Sequence, residues 1–405
     1  MKVAFIAPAY PPEQANFTRG LAEVGAHVIG IGNQPASHLP GRVRRRLGEY
    51  LQVDNLFDEA AATETIVKAL RGRGIDRVES NWEPVVLLAA RIRERLEIPG
   101  MSRDTVLGFR DKQLMKERLV AAGLRVPHSF RATSTKAAQE AAERIGLPLI
   151  VKPIAGAGSA DTYRCDDQAA FDEALHKTKH VPEISVEEFV DGEEFTYDTV
   201  CINGQPAFES VAQYFPRPLD FRTNEWISPY QVVYRDPYRK DLQAGVKLGR
   251  AVLKALGMGT GFTHMEWYRK ADGEVVFGEI GCRNGGGHFA DMMNWSNDFD
   301  IFREWARSIC WHSFEAEAQR RYHVGMVFKR AEGEGKIAAV HGMDRVLARW
   351  GGHVVANELL PVGTPRRNWK QTLLSDGFVA FRHPRLDVVN TIAKDVISGV
   401  RMVAR

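Results

Sequence analysis

Short apolar runs alternate with stretches of helical apolar spacing over residues 1–100. Residues 2–7 and 27–31 read as buried strands and 77–80 as a shorter one. Residues 14–24, 63–71 and 84–96 read as helices, the first closed by Gly25. This order implies an α/β domain with a parallel sheet, whose ligand crevice lies at the carboxyl ends of the strands. No dinucleotide fingerprint occurs there, so cofactor binding by this part alone is not expected. Around Arg110 the pattern changes. Residues 111–122 form a helix ending at Gly123, and 137–144 a second one closed by Gly146. Strands dominate 149–280, interrupted by an aromatic- and proline-rich stretch at 214–238, which is expected as a long irregular loop. A helix at 241–256 follows, and from about 321 a smaller mixed section ends in a helix at 387–397.

The strand pair after that helix carries the most informative placement. Residues 263–268 alternate, Asp272-Gly273 signals a turn, and 275–280 run back. A two-residue turn would pair Ala271 with Glu274, and counting outward sets Glu266 opposite Glu279 and His264 opposite Gly281. Facing carboxylates about 5 Å apart repel, and a divalent cation removes the repulsion. A solvated surface hairpin would carry the same pattern.

Lys152 ends the apolar run Leu149-Ile150-Val151, where an unpaired ammonium would be costly, so it calls for an anion. The small-residue loop after it, with Gly156, Gly158 and Ser159, leaves backbone N–H groups free to approach phosphate. Residues 186–195 are unusually acidic for a strand-like segment, which fits an exposed edge strand or a connector whose backbone reads a base.

Composition narrows the classes. The chain has 405 residues, 44% hydrophobic and 26% charged, ordinary for a globular protein of two or three domains. A net charge of +3 is too mild to argue for nucleic acid or a membrane surface. Cys165, Cys201, Cys282 and Cys310 lack metal-ligand spacing and read as reduced thiols, and Pro8 and Pro11 interrupt the first apolar run too early for a leader or a span. A cytoplasmic protein is expected, with a homodimer as the commonest default for its assembly.

Taken in order, Arg110-Asp111-Lys112, Lys152 with its glycine loop, residues 187–194, Glu266, and Glu279 followed by Arg283 and Gly285 to Gly287 resemble the ATP-grasp superfamily of carboxylate–amine ligases. The resemblance implies a pre-ATP-grasp α/β domain (1–108), then α+β ATP-grasp lobes: a central small lobe (109–186) and a large lobe (187–405) with the C-terminal subdomain. It also implies that Lys112 and Lys152 hold ATP phosphates, that Glu187, Glu188 and Val190 form the adenine-reading connector, and that Glu194 binds ribose. Glu266 and Glu279 would then be magnesium ligands, with manganese as the alternative cation, and Arg283 would stabilise an acyl phosphate. Gly281 stands where many members carry asparagine, so one protein oxygen for a second cation is missing, and His264 would point into the vacated space toward phosphate or substrate, or pack locally in the sheet.

The chemistry implied is transfer of the γ-phosphoryl group of ATP to a small carboxylic acid, followed by attack of an amine to give an amide, with aligned charge doing most of the catalysis. Glu225-Trp226-Ile227-Ser228-Pro229 looks like the substrate loop of bacterial L-amino-acid ligases. Glu225, Arg222, Gly285 and Gly286 are thus candidate substrate contacts, and Arg217 or Arg222 could pair with a substrate carboxylate. The rivals are a biotin- or purine-type carboxylase activating bicarbonate, a non-catalytic ATP-binding module and, more remotely, a sugar-nucleotide glycosyltransferase.

Overall fold

Lys2–Ile6, His27–Gly32, Glu49–Gln52 and Arg77–Glu79 form a parallel sheet with the first strand between the second and the fourth. The computed structural model describes every residue except 155–160, 371 and 373. The first strand is buried because Val3 to Ile6 are apolar without a break. Helix Gln14–Glu23 covers the sheet and meets helix Ile301–Trp311 of the large lobe, with Phe17 edge-on to Phe302 at 4.9 Å and to Trp305 at 5.0 Å. A methyl group on Gly20 would lie 2.4 Å from the Phe302 carbonyl, so glycine lets the two helices approach this closely.

The small lobe is an antiparallel sheet in which Ile184–Glu188 lies between Ser129–Ala132 and Leu149–Pro153, with Tyr163–Cys165 at the far edge. The acidic segment around Glu187 is therefore an inner strand and not an edge. The large lobe is an eight-stranded antiparallel sheet beginning with Val275–Gly281, Gly261–Arg269 and Glu193–Ile202. One of its middle strands, Tyr230–Val233, lies in the stretch expected to be irregular, which also contains helix Pro218–Thr223. Four consecutive buried residues, Tyr230 to Val233, override the proline and aromatic bias that reads as loop. The C-terminal helix runs Leu386–Gly399, and a last strand, Arg401–Ala404, pairs with Ile337–His341.

The pivotal hairpin has Glu266 opposite Glu279 and His264 opposite Gly281, but not by the route counted from the sequence. The turn holds three residues: Lys270 N–H donates to Glu274 O, and Gly273, at φ +87°, donates back to Lys270 O. That shifts the register by one, so Arg269 faces Val275. A bulge between Glu266 and Trp267 shifts it back. Gly278 is the extra residue, and a Cβ there would lie 2.8 Å from the Glu266 carbonyl oxygen.

Candidate active site

The small lobe overhangs that hairpin, and a cleft of about 1040 Å³, counting its open mouth, lies between them. Lys112, Lys152, Glu194, Glu266, Glu279 and Arg283 all line it, although they come from separate elements. Lys112 opens helix Lys112–Ala121, whose first N–H groups are capped by the Asp111 carboxylate. Its ammonium lies 2.9 Å from Glu279 Oε1 and holds that carboxylate toward the cleft.

Lys152 reaches Glu187 Oε2 at 2.9 Å, and the other oxygen of Glu187 accepts from Lys116. Burial alone would favour a neutral carboxyl, but the two ammonium groups outweigh it and hold Glu187 far below the usual carboxylate range. Burial pulls Lys116 down to about 8, with Glu187 opposing. Glu187 thus lines the cleft as the counter-ion of a lysine pair, which leaves only its backbone for reading a base. Glu188 is likewise committed: its carboxylate pairs with Arg125 at 2.6 Å and accepts from His128 N–H. Among the connector residues, Val190 presents its backbone carbonyl to the cleft side, where Arg217 Nη1 donates to it at 2.9 Å.

Arg217 fills the end of the cleft near Glu194. Its Nε donates to Glu194 Oε2 at 3.3 Å, and its guanidinium lies 5.0 Å from the Phe189 ring and 4.9 Å from the Tyr268 ring. Burial and the nearby Glu266 charge push Glu194 up to about 8, against the pull of Arg217.

At the opposite end, His264 Nδ1 lies 2.6 Å from Asp198 Oδ1, and Asp198 also accepts from Thr196 Oγ1. Burial lowers the imidazole pKa, but Asp198 more than offsets it and leaves the group raised to about 9. His264 Nε2 lies 3.8 Å from Glu266 Oε1, and this neighbour keeps Glu266 below its ordinary value despite burial. The ring fits because Gly285 packs on it: a Cβ there would come within 2.7 Å of Nδ1. Arg283 donates through Nε to Glu83 Oε2 at 2.6 Å, and Arg110 holds the other oxygen at 2.9 Å. Glu83, from the N-terminal domain, therefore fixes the cation that borders the cleft.

Pro218, His264, Glu266 and Arg283 also border a second chamber of about 700 Å³, counting its mouth, walled by Tyr214, Phe221, Tyr230, Phe289 and Phe328. Arg222, Gly286 and Gly287 line it. Glu225 does not: its carboxylate pairs with Arg366 at 2.7 Å, which removes it from the expected substrate contacts. Gly156, Gly158 and Ser159 lie outside the described residues. The sequence reading missed Lys116, Asp198, Glu83 and the plugging position of Arg217. Lys116 had a signal, since it lies one helical turn beyond Lys112 on the same face; Glu83 and Asp198 had none.

Among the described residues no group of three His, Cys, Asp or Glu side chains is arranged to hold a metal. Two facing carboxylates still suit a magnesium-type cation that takes its remaining oxygens from phosphate and water.

Among known proteins, residues 145–291 match the ATP-grasp domain and residues 22–100 the ATP-grasp N-terminal domain. The chain is 25% identical over 248 residues to the L-arginine-specific L-amino acid ligase of Bacillus subtilis, covering 60% of this chain and 59% of that protein. It thus spans about three fifths of the length of that curated relative. The crystal structure of L-amino acid ligase from Bacillus licheniformis superposes with a TM-score of 0.81 at 20% identity, covering 100% of this chain and 98% of that one. The N5-carboxyaminoimidazole ribonucleotide synthetase of Thermotoga maritima gives 0.70 at 19%, covering 100% and 99%. The first match spans the small lobe and the hairpin that enclose the cleft, the second spans the parallel-sheet domain beside them, and the chain belongs to the ATP-grasp family.

Proposed function

We propose that this protein activates a small carboxylic acid with ATP and joins the resulting acyl phosphate to an amine, releasing ADP and phosphate. The observation that carries this reading is the wall shared by the two chambers. Glu266 and Arg283 border both, and Glu279 and Lys112 stand beside them on the cleft side. The cleft suits a triphosphate: Lys112 and Lys152 face the phosphates, the Val190 carbonyl is offered to the adenine amino group and Glu194 to the ribose hydroxyls. Magnesium would be held by Glu266 and Glu279 and, when bound, would neutralise phosphate charge. Arg283, locked by Glu83, is aimed where the acid's oxygen and the γ-phosphorus would meet. It stabilises the charge that develops there without reorganising. The aromatic walls of the second chamber exclude water, which protects an acyl phosphate from hydrolysis.

The carboxylase rival has no use for an aromatic chamber of this size, since bicarbonate has no apolar surface to bury. The test is ADP release across a panel of carboxylic acids, with hydroxylamine as the acceptor and bicarbonate as the control. Hydroxamate formation with at least one organic acid is expected; ADP release with bicarbonate alone would replace this reading by the rival.

A further inference from the structure

Arg222 points into the second chamber with its charge unbalanced. It lies on helix Pro218–Thr223, and its one hydrogen bond among the described residues is from Nη2 to the Lys370 carbonyl at 3.1 Å. No carboxylate among the described residues is within ion-pair distance of it. Burial depresses its pKa, and no counter-ion opposes that effect. The neighbouring carboxylate that could have served, Glu225, is taken by Arg366. Arg330 close by is saturated by the carbonyls of Phe221, Asn224 and Glu225 and adds further positive charge. A partly buried guanidinium without an anion is costly, and its bidentate fork matches a carboxylate.

For an ammonium group the same chamber offers ring faces and Gln231 but, among the described residues, no uncommitted carboxylate. Among the described residues its one acidic lining residue is Glu266, which the proposed reaction commits to the metal. The rest of the wall is aromatic apart from Gln231, His264, two prolines, two glycines and the two arginines.

We propose that the acid activated here has an apolar body and a second, non-reacting carboxylate, which pairs with Arg222 while the reacting carboxylate lies against Arg283. It is a dicarboxylic acid and not a free α-amino acid. This rests on the reading of the cleft as a carboxylate-activating site.

The experiment is calorimetric titration of the full chain, with magnesium and a non-hydrolysable ATP analogue bound. Four probes share one aromatic ring: 2-benzylsuccinate, 3-phenylglutarate, 3-phenylpropanoate and L-phenylalanine. At least one diacid binds tenfold or more tightly than 3-phenylpropanoate, as a charge-assisted pair requires, and L-phenylalanine binds most weakly. In Arg222→Gln the advantage of the diacid falls to about twofold. Binding of L-phenylalanine as tight as that of 3-phenylpropanoate, a diacid advantage that is absent or survives Arg222→Gln, or no binding by any probe would each overturn the proposal. If Arg222→Gln does not fold, the ranking on the unmodified chain decides. Failure of the ligase reading is separate: it appears as no acid-dependent ADP release from the unmodified chain, whatever the ranking.

Discussion

Arg217 occupies the seat that the proposed nucleoside needs, and replacing it with alanine measures the consequence. Its guanidinium donates to the Val190 carbonyl at 2.9 Å and to Glu194 at 3.3 Å, and it rests between the Phe189 and Tyr268 rings. Adenine and ribose would use the same two acceptors and the same two rings. Binding therefore has to release a guanidinium–carbonyl hydrogen bond, a longer one to Glu194 and two cation–π contacts. Such contacts are each worth about 0.5–1.5 kcal/mol in a partly open site, and hydration of the freed guanidinium recovers part of that. A net cost of about 1–3 kcal/mol remains, which is about 5- to 150-fold in Kd. Titration of ADP into the unmodified chain and into Arg217→Ala by calorimetry is the assay, and tighter binding to the variant is expected. Unchanged or weaker binding would refute the reasoning, because it would mean that Arg217 shares the site with the base instead of competing for it.

The bulge makes a second prediction. Gly278→Ala drives a Cβ into the Glu266 backbone, which has no slack to give, so it should cost about 1–3 kcal/mol in urea denaturation and reduce ADP release by slipping Glu266 away from Glu279; a neutral variant would contradict the register argument. Glu187→Gln leaves the Lys116 and Lys152 ammonium groups facing each other without their counter-ion, a loss of about 3–5 kcal/mol by the same measurement. His323 is buried in strand His323–Phe328, and its pKa is lowered from 6.5 to about 4 by burial and then by Arg235 and Arg239. The folded state keeps it neutral while the unfolded chain takes up a proton below 6.5, so this contribution is complete above that pH and is lost as pH falls toward 4. Between pH 7 and pH 5 the loss is about 2 kcal/mol, and the denaturation midpoint of His323→Gln should change correspondingly less over that interval.

The first two strands were legible as unbroken apolar runs, the helix after Asp111 from the glycine that closes it, and the helix ending at Leu256 from its apolar spacing and closing glycine. The facing glutamates were legible only through two compensating shifts, a longer turn and a bulge, and no periodicity distinguishes that pair from a plain hairpin. Glu225 was misplaced because the arginine that claims it, Arg366, is 141 residues away. Glu83 and Asp198 escaped for the same reason, since their importance arises only where Arg283 and His264 are brought to them. Strand Tyr230–Val233 was hidden by the prolines and aromatics that surround it and serve the second chamber.

The account stands on Glu266 and Glu279 acting together beneath a triphosphate. Glu279→Gln keeps the shape and removes one charge, so the most direct measurement is acid-dependent ADP release by this variant, with ADP affinity and thermal melting measured alongside. The account predicts a folded protein that still binds nucleotide but releases ADP at least a hundredfold more slowly, the scale of losing several kcal/mol of transition-state charge stabilisation. Release within about threefold of the unmodified chain would contradict it.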